Sequence, residues 1–167
     1  KYFILSMNSN DLRERYFKGR AYIALAPAIL FASAVWFTPN VLAVKVGHTF
    51  QIYISLLLFF SASYIWSQSK ITSSIFPKDT ARRLSLVLLF IILVSCILTL
   101  NLNPAYGLGF ILIGLLVLFF GISANLKQEP PPWFKQLIRK SNIMLCICLI
   151  VMIAYWLNPY SQPLNYY

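Results

Sequence analysis

The 167-residue sequence has few of the side chains on which most catalytic and metal centres depend. It has one histidine and three cysteines, and its acidic residues are Asp11, Glu14, Asp79 and Glu129. A metal site needs several N, O or S ligands, and an activated nucleophile needs a neighbouring base. Because neither arrangement is visible, we predict that the protein is not an enzyme and has no catalytic residue, no metal and no cofactor.

The histidine and the cysteines suggest little chemistry by their positions. His48 stands at the start of an apolar run, where it is expected to be exposed or interfacial. Cys146 and Cys148 lie about 200° apart around a helix axis, so the two thiols do not chelate one ion. Together with Cys96 they are interpreted as small, inert core residues.

Five long apolar runs have no charged side chain in their middle. They are about residues 21–37, 49–68, 84–100, 106–124 and 143–157. Each is close to the ~20 residues that a helix needs to cross about 30 Å of hydrocarbon. Pumps and voltage sensors need ionisable groups at that depth, so no obvious mechanism of that kind is present. We predict an all-α membrane protein, a bundle of five transmembrane helices.

Positive charge is abundant and unevenly distributed. The net charge is +10, and threading the runs through a bilayer puts thirteen of fourteen Lys and Arg on one side. That side holds Lys1, Arg13, Arg15, Lys18, Arg20, Lys70, Lys78, Arg82, Arg83, Lys127, Lys135, Arg139 and Lys140, and the other holds Lys45. The positive-inside rule then predicts an inner N-terminus and an outer C-terminus. Loops of this kind favour anionic phospholipids as partners over nucleic acid.

The four tryptophans fit the same threading. Trp36 and Trp156 fall at the outer interface, and Trp66 and Trp133 fall at the inner one. Indole rings are enriched at both interfaces of a bilayer. The sequence therefore predicts two aromatic belts.

Two inner segments have the pattern of short interfacial amphipathic helices. Residues 10–22 alternate apolar with basic side chains at helical spacing, and residues 133–140 do the same after Pro130–Pro132. Such segments lie on the membrane or dock on a partner. The predicted layout is an interfacial segment at 1–20, a five-helix domain at 21–158 and an outer tail at 159–167.

Small residues mark the faces through which the helices are expected to pack. The fourth run has glycines seven apart at Gly107, Gly114 and Gly121, and the first has Ala24, Ala28 and Ala32 beside Pro27. Such stripes let helix backbones approach closely, within one bundle or against another subunit. In the second run, Tyr53, Phe60, Ala62 and Ser63 are expected to pack against other helices. Gln51, Tyr53, Tyr64 and Thr99 are candidates for hydrogen bonds between helices.

The second run carries Tyr53, Phe60, Ala62-Ser63 and Trp66, and Pro131–Phe134 with Leu137 precedes the last run. This spacing resembles the transmembrane protein 69-like family, five-helix inner-membrane proteins of mitochondria and proteobacteria. A Gly-Gly pair of the family is Ala62-Ser63 here, its histidine is Ile65, and its loop arginine is Ile138 with Arg139 one later. The resemblance implies a mitochondrial inner membrane, or alternatively a bacterial one, and no reaction.

The function predicted from these features is that of a non-catalytic accessory subunit or assembly factor of a larger inner-membrane complex. A respiratory complex is the expectation from location. The residues expected to dock on partner subunits or lipid are Trp66, Trp133, Phe134, Leu137, Arg139 and Lys140. The alternative is a small-solute transporter acting as a homodimer, although no internal repeat typical of transporters is visible.

Overall fold

The computed structural model describes residues 9–70, 77–125 and 132–158, and within them every regular element is an α-helix. The helices are α1 (Ser9–Ala34), α2 (Asn40–Gln68), α3 (Lys78–Asn101), α4 (Pro104–Asn125) and α5 (Pro132–Leu157). A proline stands just before or at the first residue of α2, α3, α4 and α5. Proline lacks a backbone N–H, but this costs nothing at a helix start, because the N–H groups of the first turn have no partner within the helix. The all-α prediction is confirmed.

Four of the five helices are long and apolar enough to cross a membrane. The segments that qualify are Val41–Gln68, Lys78–Asn101, Pro104–Ala124 and Pro132–Leu157. The chain is therefore a multi-pass membrane protein by length and composition. The first predicted span does not qualify, because the first half of α1 carries Arg13, Arg15, Lys18 and Arg20.

The two segments predicted as separate amphipathic helices are continuous with the runs that follow them. α1 passes through Gly19 and Pro27 to Ala34, and α5 runs unbroken for 26 residues. An internal glycine costs only about 1 kcal/mol in a helix, and nothing between Lys140 and Ile143 breaks one. The predicted boundary after residue 20 thus falls inside α1. The predicted tail at 159–167 lies outside the described residues, as do Lys1, Lys127 and Pro130–Pro131.

Contacts along α3 show that it runs antiparallel to both α2 and α4. Near the end of α3, Thr99 meets Gln51 from the first half of α2. Near its start, Ser85 meets Ala62 from the second half. Likewise α4 begins beside Thr99 and ends beside Leu84. We call the end of the bundle that holds the start of α3 the basic end.

α1 runs parallel to α5 over almost its whole length. Phe17 stacks on Trp133 with 6.3 Å between ring centroids, and Trp36, just past α1, contacts Tyr155 at 5.6 Å. α1 also packs on α2, and α5 packs on α4. Because α2 and α4 contact each other as well, the five helices enclose a single core. Large side chains that fill this core include Phe50, Ile54, Leu58, Leu108, Ile111, Leu149 and Met152.

Candidate functional site

Three of the buried polar side chains in the described part of the chain meet at one place. Gln51 is 6% exposed, and Ser95 and Thr99 are also buried. The Gln51 amide Nε2 donates to Thr99 Oγ1 at 2.5 Å and to Ser95 Oγ at 3.3 Å. These bonds join α2 to α3, and we call the three residues the polar cluster.

The hydroxyls of the cluster fix the orientation of the glutamine amide. Ser95 Oγ donates to the Gly107 carbonyl at 2.8 Å, and Thr99 Oγ1 donates to the Ser95 carbonyl at 2.9 Å. Each hydroxyl has one hydrogen, which is used in this way, so towards Gln51 each can only accept. The NH₂ group of the amide must therefore face the hydroxyls. Gln51 Oε1 is left buried, with no hydrogen-bond partner among the described residues.

Gly107 closes the cluster from α4. A Cβ atom added at this glycine would lie 2.0 Å from Thr99 Oγ1 and 2.8 Å from the Ser95 carbonyl oxygen. The same atom would lie 2.9 Å from Gln51 Nε2. Only glycine lets the α4 backbone come close enough to accept the Ser95 hydrogen bond.

A groove of about 510 Å³ lies between α2 and α3, next to the polar cluster. Its walls are apolar and come from Ile52, Leu56 and Phe59 of α2 and from Ile92 and Leu100 of α3. Most of these wall side chains are exposed, so the groove opens sideways to the surroundings of the bundle. Its volume is in the range of small-molecule sites, about 300–1,000 Å³.

Residues with polar side chains also border the groove from both helices. His48, Gln51 and Ser55 line it from α2, and Cys96 and Thr99 line it from α3. The span from His48 to Phe59 measures about 17 Å along a helix axis, roughly half the hydrocarbon thickness. The groove thus occupies the half of the bundle away from the basic end. Cys96 is exposed there, which corrects its interpretation as a core residue.

The predicted glycine stripe of α4 faces α3 along its length. Gly107 and Gly114 are buried and Gly121 is half-buried. An added Cβ would lie 2.8 Å from Leu58 and 3.1 Å from Ile91 at Gly114, and 2.7 Å from Leu84 at Gly121. Gly109, off the stripe, has nothing within 4 Å of such an atom.

The small residues of α1 lie against α2 and α5. Ala28 and Ala32 are buried, and Ala24 and Pro27 are half-buried. The Tyr53 hydroxyl donates to the Ala24 carbonyl oxygen at 2.5 Å, which ties α2 to α1. A carbonyl in the turn before the proline therefore has a second partner from a neighbouring helix.

The second helix uses its predicted packing residues only in part. Ala62 is buried, and its carbonyl accepts from Ser85 Oγ at 2.8 Å. Phe60 is 64% exposed and Ser63 is exposed, so neither belongs to the buried core of the described helices, and packing of these two residues against another subunit stays a prediction. They are exposed because α1 contacts α2 near Tyr53, whereas its first turns stack on α5. Tyr64, a candidate for hydrogen bonding between helices, is also exposed.

The predicted docking residues separate into three environments. Leu137 is 7% exposed and belongs to the buried stripe of α5 with Leu145, which removes it from any docking surface. Trp133 is half-buried because Phe17 covers one face of its ring. The exposed members are Phe134, Arg139 and Lys140.

The tryptophans at the other helix ends are not a uniform belt. Trp66 is half-buried, with the Arg82 guanidinium 5.8 Å from its ring centroid. Trp156 is 1% exposed, because its indole packs on Gly47, where an added Cβ would lie 3.0 Å from the ring. Trp156 therefore packs inside the bundle, and its predicted position at the outer interface stays a prediction. Ala43 and Gly47 are four residues apart, a small-residue spacing that sequence reasoning missed.

Within the described residues, no group of three or more His, Cys, Asp or Glu side chains lies close enough to hold a metal ion. The chain matches no family model, no curated protein and no solved structure. The resemblance to the transmembrane protein 69-like family therefore stays a prediction. Fold and composition define a multi-pass helical membrane protein with a polar cluster and a lateral groove.

Proposed function

We propose that the protein is a non-catalytic subunit or assembly factor of a larger inner-membrane complex. The observation that carries this proposal is that the buried polar side chains hydrogen-bond within the bundle. Ser85, Ser95 and Thr99 hydrogen-bond to backbone of the bundle, and no Asp, Glu, Lys, Arg or His is among the buried residues of the described ranges. These groups hold helices together and offer neither an acid–base pair nor a chain of charges for transport.

In this proposal α1 is a fifth span. Its contacts support that, since Phe17 and the Trp36 that follows α1 lie level with Trp133 and Tyr155 of α5. These two residues of α5 are about 33 Å apart along the helix, enough to cross the hydrocarbon. Arg20 lies over the Tyr16 ring at 4.1 Å, and Lys18 pairs with Glu14. Both charges therefore point back toward the basic end, as snorkelling side chains do.

The basic end faces the cytosol or the mitochondrial matrix in this proposal. Apart from Lys45, every described Lys and Arg side chain belongs to a helix start or end at this side of the bundle. That distribution follows the positive-inside rule and favours contact with anionic lipid headgroups. The mitochondrial location, with a bacterial inner membrane as the alternative, derives from the family resemblance.

Cysteine accessibility in sealed vesicles tests the five-span arrangement. In a chain whose native cysteines are replaced by serine, Arg15→Cys and Lys78→Cys should react from the same side. Asn158→Cys should react from the opposite side. A chain in which Arg15→Cys and Lys78→Cys react from different sides has α1 outside the bilayer, which would contradict the proposal.

The docking surface is proposed at the start of α5, where Phe134, Arg139 and Lys140 are exposed. Aromatic and arginine side chains are the residues that most often anchor interfaces. Phe17 supports this surface from behind by stacking on Trp133, which holds the first turn of α5 in place. The proposed partners are other membrane subunits of the complex.

Co-purification from native membranes in mild detergent tests the docking surface. The double variant Phe134→Ala, Arg139→Ala should lose most of its co-purifying complex, because one aromatic anchor contributes about 2 kcal/mol or more. Phe110→Ala is the matched control, since Phe110 and Phe134 are both 36% exposed but Phe110 lies on α4, away from the basic end. Retention of the complex by the double variant would show that the segment only lies on lipid. Migration of the wild type as a lone dimer on a native gel would favour the transporter alternative instead.

A further inference from the structure

We propose that the groove between α2 and α3 binds a membrane-soluble molecule with a long apolar body and a hydroxyl group at one end, such as a long-chain alcohol. The apolar body would lie along the groove walls. The hydroxyl would donate to the side-chain oxygen of Gln51. This ligand site is independent of the proposed role as a subunit.

The shape and the walls of the groove account for the apolar body. Ile52, Leu56 and Leu100 are each about half or more exposed, and they border the opening that faces sideways. A ligand can therefore enter from the membrane without crossing water. The volume of about 510 Å³ is large enough for a lipid-sized chain and falls within the usual range of ligand sites.

The polar cluster accounts for the hydroxyl. Gln51 Oε1 has no hydrogen-bond partner among the described residues although the side chain is buried. A buried acceptor without a partner is unfavourable, most of all where no water can replace one. Gln51 lines the groove, so an occupant of the groove can supply the donor. Oε1 is covered in this structure, and a small turn about the broad terminal torsion of the glutamine would open it to the groove while Nε2 stays bonded to the hydroxyls.

The cluster also selects a donor over an acceptor. The hydrogens of Ser95 Oγ and Thr99 Oγ1 are already given to backbone carbonyls. The amide NH₂ of Gln51 is given to those same hydroxyls. The atom that still lacks a partner is Gln51 Oε1, which accepts a hydrogen bond. An alcohol donates such a bond, whereas an ether or a plain hydrocarbon does not.

Photolabelling of the full chain in lipid nanodiscs tests this selectivity. One probe is a long-chain alcohol with a diazirine in mid-chain, and the other is its methyl ether. The alcohol should label the groove, at Ile52, Leu56 or Cys96, about two- to tenfold more than the ether, the factor that one net hydrogen bond contributes. Equal labelling by the two probes would show unselective contact with bulk lipid and would overturn the proposal.

Three variants locate the effect. Gln51→Leu should make labelling by the two probes equal, and it should fold, because Ser95 and Thr99 keep their carbonyl partners without the amide. Asn142→Leu removes an amide from α5, away from the groove, and should leave the preference for the alcohol unchanged. Ser55→Phe should fill the groove and reduce labelling by both probes. Undiminished alcohol labelling of Ser55→Phe would place the bound molecule elsewhere and overturn the proposal.

Discussion

The contact of α3 with α4 is polar at one end and apolar at the other. Away from the basic end, a glutamine, a serine and a threonine connect α2, α3 and the backbone at Gly107. At the basic end, the Leu84 side chain lies against Gly121 of α4, and α2 is reached by the Ser85 hydrogen bond and by Arg82 over the Trp66 ring. The same glycine stripe of α4 therefore meets a rigid network at one end and a flexible side chain at the other. We expect substitutions to be tolerated very differently along it.

The largest effect is expected in the middle of the stripe. Gly114→Leu must displace both Leu58 and Ile91, whose methyl groups an added Cβ alone already approaches within 3.1 Å. We expect a loss of about 3 kcal/mol or more in the free energy of unfolding in detergent micelles, the upper end for overpacking. Gly109→Leu is the control and should lose far less. Equal unfolding free energies for the two variants would show that the stripe does not matter for packing.

Gly107→Ala should have the next largest effect and reports on the polar end. The added methyl group overlaps Thr99 Oγ1 and a backbone carbonyl, which cannot move as a side-chain terminus can. We expect a loss of about 2–3 kcal/mol from overpacking together with weakened hydrogen bonds of about 0.6 kcal/mol each. The measurement is the same unfolding free energy. A loss below that of Gly121→Ala would reverse the order of the two ends.

Gly121→Ala reports on the basic end and should cost about 1 kcal/mol, the low end of overpacking. The three atoms nearest to the added methyl group all belong to Leu84, and its two methyl carbons, at 2.7 and 2.9 Å, can rotate away. In a chain that already carries Leu84→Ala, adding Gly121→Ala should therefore cost much less than it costs in the wild type. If the losses of unfolding free energy from the two substitutions simply add, the added methyl group does not clash with Leu84.

The smallest effect is expected for Ser85→Ala. The variant removes one hydrogen bond to the Ala62 carbonyl, and such bonds average about 0.6 kcal/mol in a membrane. The carbonyl keeps its helical partner, so nothing is left unsatisfied. Ser61→Ala provides the comparison, because Ser61 Oγ bonds only within its own helix, to Leu57. A loss for Ser85→Ala no larger than for Ser61→Ala would remove this bond from the α2–α3 contact.

The helical spans were predictable because hydropathy and proline placement act locally. Runs near residues 49–68, 84–100, 106–124 and 143–157 became α2 to α5, each extended at its start to a proline. The glycine spacing of α4 also placed three residues on one face without knowledge of a partner. Gln51 and Thr99 were recognisable as candidates for hydrogen bonds between helices, and they bond to each other. That they bond to each other was not predictable, because the two residues are 48 positions apart.

By itself, the sequence determined the helices, the clustering of basic residues at alternating helix ends and the faces that small residues open for packing. These depend on local periodicity and on the cost of placing charge in hydrocarbon. Only the tertiary structure decided which neighbour covers each face. Phe60 is exposed, Leu137 and Trp156 are buried, and a groove remains open beside Gln51 because of how α1, α3 and α5 pack on α2. The periodicity of a helix shows which side chains share a face. Whether that face is buried depends on which neighbouring helix packs against it.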